Sequence, residues 1–175
     1  MAELVWTESN LEQLPEDGHR YEIFDGSLLK TPPASFGHQY ISGDLYVRLR
    51  AAAPSGWLVL TELGIRLSTA NLVPDIVVLL PGTGQPGLWQ NASDAALVVE
   101  IASKSTQLVD DDVKRHLYAK AGIPSYWQIK QDGTLLSHTS PVDGRYQLTE
   151  ISKPGTQWST LEPFPVSFDP DDLTP

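Results

Sequence analysis

The chain has 175 residues, of which 41% are hydrophobic, and it carries a formal net charge of −10 with no cysteine. This length and composition predict one globular domain over 1–175, and the lack of cysteine excludes disulfides and thiolate metal sites. The negative charge argues against a general nucleic-acid coat protein, because phosphate binding needs a basic surface. No apolar run approaches the ~20 residues of a membrane span, and the acidic start lacks signal-peptide features. We therefore expect a cytoplasmic protein without a membrane partner.

Turn residues and hydrophobic spacing indicate the elements of the first half. Residues 7–16 predict a short capped helical turn. Residues 21–33 alternate between apolar and polar side chains around an Asp-Gly turn signal, which predicts a hairpin. Residues 35–53 carry apolar side chains every three or four positions, which predicts a helix.

The second half combines short apolar runs with one further helical pattern. Strands are predicted at 57–63, 65–68, 75–80, 96–102 and 125–130, a glycine- and proline-rich loop at 81–94, and a helix at 106–123. The core is expected over about 20–130, with a β-rich extension over 131–175. This order predicts a mixed α/β fold built on one sheet, flanked by helices, with extra β-hairpins at both ends.

A charged residue, Glu100, interrupts the most apolar of these strands. Strand alternation sets it on the same face as Val98 and Ala102. An isolated buried carboxylate is costly, so Glu100 needs a cation, a proton or a metal ion. Asp75 opens the strand at 75–80, and it converges with Glu100 if the two strands are neighbours. Because two such carboxylates repel each other, a hard cation such as Mg²⁺ is the simplest partner.

Lys114 is the basic residue best placed to meet these acids. It lies at the edge of the apolar face of the second helix, whereas Arg115 and Lys120 fit the solvent side. A lysine on a packed face needs an anionic partner or substrate. Glu100 could therefore form a plain salt bridge with Lys114, or with Arg66 on the strand at 65–68.

Six segments in sequence carry a resemblance to a known family. They are RYEIFDGSL (20–28), GHQYISGDL (37–45), TELGIRLS (61–68), LVPDIVVL (72–79), LVVEIASKST (97–106) and KRHLYAKAGIPSYWQI (114–129). Their order and spacing resemble the domain-of-unknown-function 820 family of restriction-endonuclease-like proteins, in the PD-(D/E)xK nuclease superfamily. The resemblance implies a restriction-endonuclease-like αβββαβ core and metal-dependent hydrolysis of phosphodiester bonds in nucleic acid.

The resemblance also implies roles for particular residues. Asp75 matches the motif aspartate and Glu100 the motif glutamate. The motif lysine would stand at position 102, where this chain has Ala102. In the family this lysine is commonly replaced by one on the following helix, which matches Lys114, while Lys104 is a weaker substitute.

Two further residues, Glu22 and His38, match recurrent family positions and are expected to assist, with Glu22 ranked first. The implied cofactor is Mg²⁺ or Mn²⁺, and its implied ligands are Asp75, Glu100 and the carbonyl of Ile101. The ion would acidify a bound water and offset the charge of the scissile phosphate. Lys114 would orient that water or stabilise the transition state.

Simpler interpretations of these residues stay open. Asp75 could be a turn residue, Lys114 could extend to solvent without a role, and Trp89 in the predicted loop could stack on a base. The functional alternatives are an endonuclease acting on nucleic acid, with DNA preferred, and a catalytically degenerate nuclease fold that binds or assembles. A third is a structural protein with an internal Glu100–Lys114 ion pair. The β-rich tail and the first hairpin predict a homodimer.

Overall fold

The computed structural model describes residues 5–102 and 107–175, and only the backbone of 107–111. The helices are α1 (Glu8–Leu11), α2 (Phe36–Ala52) and α3 (Gln107–Lys120). The strands are β1 (Arg20–Phe24), β2 (Ser27–Thr31), β3 (Leu58–Thr61), β4 (Gly64–Arg66), β5 (Ala70–Leu72), β6 (Ile76–Leu79), β7 (Trp89–Asn91), β8 (Ala95–Ile101), β9 (Ser125–Ile129), β10 (Leu135–Val142), β11 (Arg145–Ser152), β12 (Trp158–Thr160) and β13 (Val166–Phe168). Within the described residues, no helix has the length and apolarity to cross a membrane.

The central sheet contains the predicted core. Its six strands lie in the order β11-β10-β9-β8-β6-β3. All neighbours are antiparallel except β8 and β9, which are parallel. Read along the chain, α2, β3, β6, β8, α3 and β9 form the αβββαβ arrangement that the resemblance implied. The fold is therefore the expected mixed α/β fold, and β10 with β11 lengthens its central sheet.

A second sheet corrects the expectation of one sheet. Its five strands lie in the order β2-β1-β5-β4-β7, and the sequence had predicted neither β5 nor β7. Each of these two strands has three residues, too few for alternation to be visible. β7 lies in the predicted loop and pairs in parallel with β4, which is about twenty-five positions earlier in the chain. Such pairing depends on tertiary contacts rather than on local sequence.

The central sheet buries both of its faces. On one face α2 packs with Ile41 and Leu45 against Val99 of β8. On the other face Val98 packs against α3 and the second sheet. Successive residues of β8 therefore face opposite cores, as alternation predicted. Glu100 shares the face of Val98, so its side chain lies between the central sheet, α3 and the second sheet.

The first hairpin has the turn that its sequence indicates. Asp25 and Gly26 both have positive φ, at 43° and 76°, as a type I′ turn requires. The turn fixes the register of β1 and β2, in which Glu22 lies opposite Leu29. Arg20 and Glu22 are two residues apart on β1 and therefore share a face. That face meets the end of β8.

Candidate active site

Asp75 lies directly before β6 with only 2% of its surface exposed. Its Oδ1 accepts a hydrogen bond of 2.7 Å from Arg20 Nη2, and its Oδ2 accepts one of 2.7 Å from the backbone N–H of Ile101. His38 Nε2 lies 3.1 Å from the same Oδ2. Asp75 is therefore no simple turn residue, since three groups from three separate elements converge on its carboxylate.

Glu100 lies on β8 and is 8% exposed. Its Oε1 accepts hydrogen bonds from Lys114 Nζ at 3.2 Å and from the hydroxyl of Tyr118 at 2.6 Å. Lys114 and Tyr118 are four residues apart on α3, so one helix face presents both donors. Within the described residues, Oε2 of Glu100 accepts no hydrogen bond.

Lys114 joins Glu100 to Glu22. Its Nζ lies 3.3 Å and 3.4 Å from the two carboxylate oxygens of Glu22, which also accepts a hydrogen bond of 2.8 Å from the backbone N–H of Val73. Lys114 is 6% exposed and Glu22 1% exposed. The lysine therefore does not extend to solvent, and the paired acids offset the cost of burying its charge.

A cleft of about 910 Å³ opens over these residues. It is lined by Arg20, Glu22, His38, Glu100 and Lys114 at its floor. The structure thus brings together the five predicted site residues: four line the cleft, and Asp75 is bonded to Arg20 and His38. Solvent reaches the ion pairs from the cleft, so the cluster is neither fully open nor sealed inside the core.

The two motif acids differ in their titration. Burial alone would raise the pKa of Asp75, but the hydrogen bond from His38 and the charge of Arg20 lower it to about 2. Burial raises the pKa of Glu100 to about 7, against the opposing charge of Lys114. The nearby carboxylates of Asp75 and Glu22 add to that rise. Among the described residues, two permanent cations, Arg20 and Lys114, therefore face three carboxylates.

The donor set suits a hard divalent cation. A carboxylate offers about four lone-pair positions, and the three donors around Asp75 leave one of them open. Oε2 of Glu100 adds two more. The carbonyl of Ile101 lies on the same strand edge as its N–H, which donates to Asp75. In the described part of the chain no three His, Asp or Glu side chains could share one ion, but Mg²⁺ commonly takes one or two carboxylates and keeps several waters.

Several alternatives from the sequence are corrected. Arg66 does not pair with Glu100; its guanidinium binds Glu8 instead. Trp89 is 7% exposed and packs with Leu11 and Ile23, so it is a core residue rather than a stacking platform. Lys104 lies outside the described residues.

Arg20 and Tyr118 are the two residues of this site that the sequence analysis missed. Arg20 binds Asp75. Burial would lower the pKa of the Arg20 guanidinium, but the negative charges of Asp75, Glu100 and Glu22 outweigh it, so that pKa rises. Strand alternation could have placed Arg20 on the face of Glu22, although it gives no indication of its partner Asp75. Tyr118 was visible as the residue four positions after Lys114, where a hydroxyl can share an acceptor with the lysine.

The sequence profile of the Uma2 family, described as "Putative restriction endonuclease", matches residues 8–174. The chain belongs to the Uma2 family. The match extends the resemblance seen in the six segments to nearly the whole chain, and the Uma2 family is the domain-of-unknown-function 820 family.

A solved structure supports the same fold. It is the crystal structure of "a putative nuclease belonging to DUF820" from Anabaena variabilis ATCC 29413. The two chains superpose with a TM-score of 0.77 at 18% identity, over 94% of this chain and 95% of the other. At that identity the likeness shows the Uma2 fold alone. The comparison with curated proteins found no match.

Proposed function

We propose that this Uma2 protein is a metal-dependent endonuclease that hydrolyses phosphodiester bonds in nucleic acid, with DNA as the expected polymer. One observation carries the proposal: Glu100 lies at the floor of a cleft beside a buried lysine, and the carboxylate of Asp75 lies directly behind that floor, with lone pairs still open on both acids. The family description favours the same chemistry. The cytoplasmic location expected from the sequence stays a prediction.

The proposed ligands are Asp75, Glu100 and the carbonyl of Ile101. When bound there, Mg²⁺ or Mn²⁺ would supply an acidified water and offset the charge of the phosphate. Lys114 and Tyr118 occupy Oε1 of Glu100, so Oε2 would be available to hold the ion. His38 and the N–H of Ile101 occupy Oδ2 of Asp75, so the ion would take the lone pair that Arg20 leaves open on Oδ1.

Lys114 is the proposed cationic catalyst. It replaces the lysine that the motif would have at position 102, where this chain has a buried alanine. Its ammonium sits between Glu22 and Glu100 in a largely buried place, where a positive charge stabilises a developing phosphorane charge more strongly than it would in water. Glu22 positions Lys114 rather than contacting the substrate.

Cleavage of labelled DNA oligonucleotides, single- and double-stranded, tests the proposal. The wild type should cut with Mg²⁺ or Mn²⁺ and stop in EDTA. The near-isosteric variants Asp75→Asn and Glu100→Gln should each lower the rate by at least about 100-fold, as loss of a charge-stabilising group does. Asp44→Asn should cut at the wild-type rate, because Asp44 pairs with Arg48 on α2 outside the cleft. Cleavage that survives EDTA or both substitutions contradicts the proposal.

A degenerate binding module is the second candidate. It is favoured by one observation: Arg20 and Lys114 already neutralise two of the three buried carboxylates without any metal ion. On this alternative the cleft binds a partner and the ion pairs are permanent. Absence of both cleavage and Mn²⁺ binding would select it.

We also propose that the protein is a homodimer formed through β11. β11 is an edge strand of the central sheet, and it carries Leu148 and Ile151, both 61% exposed. Antiparallel pairing of two copies in the register that sets Arg145 opposite Glu150 joins opposite charges at both ends. Sedimentation at micromolar concentration should give a dimer, and a monomer there contradicts this arrangement.

A further inference from the structure

Arg20 uses only part of its hydrogen-bonding capacity. A guanidinium has five N–H donors on three nitrogens. Nη2 donates to Asp75 Oδ1 at 2.7 Å and to Glu62 Oε1 at 3.2 Å. Within the described residues, Nε and Nη1 donate to no acceptor. The side chain is 17% exposed and lines the cleft, so these donors lie where a ligand can reach them.

The two anions on Arg20 differ in how firmly they are held. Asp75 is buried and keeps two other donors on its second oxygen. The side chain of Glu62 is 63% exposed, its contact with Arg20 is the longer one, and no other described residue binds its carboxylate. A surface ion pair of this kind contributes little and is easily exchanged. Glu62 is therefore the anion that an incoming ligand displaces.

The backbone of Glu62 adds an independent indication. Its φ is 51°, in the left-handed region that residues with a side chain seldom adopt. The N–H of Glu62 donates to the carbonyl of Asp75, which holds the residue at the cleft rim. Unfavourable backbone conformations persist where the surroundings impose them, often at ligand sites. Here the conformation directs an acidic side chain onto Arg20.

The charge of the cleft shows which ligand such an arginine takes. Of the described residues lining it, only Arg20 and Lys114 are permanent cations. Lys114 lies between two buried carboxylates, whereas one edge of the Arg20 guanidinium needs only to release Glu62. A planar guanidinium edge matches two oxygens of a phosphate, which a lysine ammonium cannot do.

We propose that Arg20 is a phosphate-binding residue and that the Glu62 carboxylate occupies, in the free protein, the position of a substrate phosphate oxygen. The phosphate takes one edge of the guanidinium, and the remaining Nη2 proton stays on Asp75. This assignment rests on the proposed phosphodiester hydrolysis for its substrate. It makes the Asp75–Arg20 pair a positioning contact between the metal ligand and the phosphate.

Binding of a fluorescent four-residue oligothymidylate, measured by anisotropy in EDTA at low ionic strength, tests the assignment. Glu62→Gln should tighten binding about 3- to 5-fold, as removal of a competing surface anion does. Arg20→Lys should weaken it about 10-fold through loss of the paired donors. In the Arg20→Lys background, Glu62→Gln should give no gain. Glu16→Gln is the matched control, because Glu16 is exposed, lines the same cleft and forms no ion pair with Arg20. Its effect should stay below about 2-fold.

Three outcomes overturn the assignment. Equal tightening by Glu62→Gln and Glu16→Gln indicates a general charge effect. Unchanged affinity in Arg20→Lys indicates a purely structural pair, and absence of wild-type binding removes the phosphate site. Glu62→Gln keeps the test decisive even if Arg20→Lys folds poorly, since Glu62 is exposed.

Metal binding and cleavage separate this assignment from the proposed function. If the variants change oligothymidylate affinity as predicted but the wild type does not cleave DNA, the phosphate site is supported and the proposed hydrolysis is contradicted. If the wild type cleaves DNA but Arg20→Lys binds oligothymidylate as tightly as the wild type, the proposed hydrolysis is supported and the proposed role of Arg20 is contradicted.

Discussion

Arg20 pairs with Asp75, and Arg66 pairs with Glu8. The two pairs differ in how many nitrogens of the guanidinium donate hydrogen bonds. Arg66 uses all three guanidinium nitrogens: Nε and Nη2 bind the two oxygens of Glu8 at 2.7 Å and 2.8 Å, and Nη1 binds the carbonyl of Trp89 at 3.0 Å. Arg20 uses one nitrogen, although its partner Asp75 is far more deeply buried. A saturated arginine on the surface is structural, whereas a buried one with open donors beside a cleft is prepared for a ligand.

The largest effect on stability is expected from substitution of Lys114. Its size would measure how strongly the cleft carboxylates depend on a nearby cation. Lys114→Ala leaves Glu22 and Glu100 buried without their shared ammonium, and we expect a loss of about 3–5 kcal/mol in the free energy of unfolding. Urea unfolding measures it, with Lys120→Ala on the exposed side of α3 as the control. A loss equal to that of the control would mean that the buried ion pairs do not stabilise the fold.

The two arginines can be compared directly by removing each one. Arg20→Met leaves Asp75 with two of its three donors and should cost about 2–3 kcal/mol of unfolding free energy. Arg66→Met removes a partly exposed pair and should cost at most about 1 kcal/mol. Thermal and urea unfolding of both variants gives the difference. The comparison fails if Arg66→Met is the more damaging change.

An effect smaller than those at Lys114 and Arg20 is expected in acid. Neither arginine pair loses its carboxylate charge early there, because the pKa values of Asp75 and Glu8 are both lowered. His138 is 1% exposed and stacks on Tyr126 with ring centroids 5.5 Å apart. Burial, with a smaller effect of Arg115, lowers its pKa from 6.5 to about 4. The unfolded chain therefore takes up the proton first, and stability is lost as the pH falls from 6.5 towards 4.

Unfolding free energies of the wild type and His138→Asn across that pH range measure the effect. The wild type should lose on the order of 1–2 kcal/mol more than the variant. Parallel profiles for the two proteins would contradict it.

The sequence predicted the elements with strong local signals and the acids of the site. The hairpin at Asp25–Gly26, both long helices and the buried strand around Glu100 all agree with the structure. Glu100 was detectable because a carboxylate in an apolar run is costly. Position 114 was detectable from helical spacing combined with the resemblance.

The elements that the sequence did not predict depend on distant partners. β5 and β7 are three residues long and form only because β1 and β4 offer free edges. Arg20 meets Asp75 across fifty-five positions of the chain, and no local pattern reports such a pair. The same holds for Glu62, whose role depends on its backbone conformation.

Calorimetric titration of Mn²⁺ into the wild type, Asp75→Ala and Glu100→Ala is the decisive test of the metal site, because it requires no substrate. We expect binding to the wild type and none to either variant. No binding to the wild type, or binding that both variants retain, would contradict it. The carboxylates would then be satisfied by Arg20 and Lys114 alone.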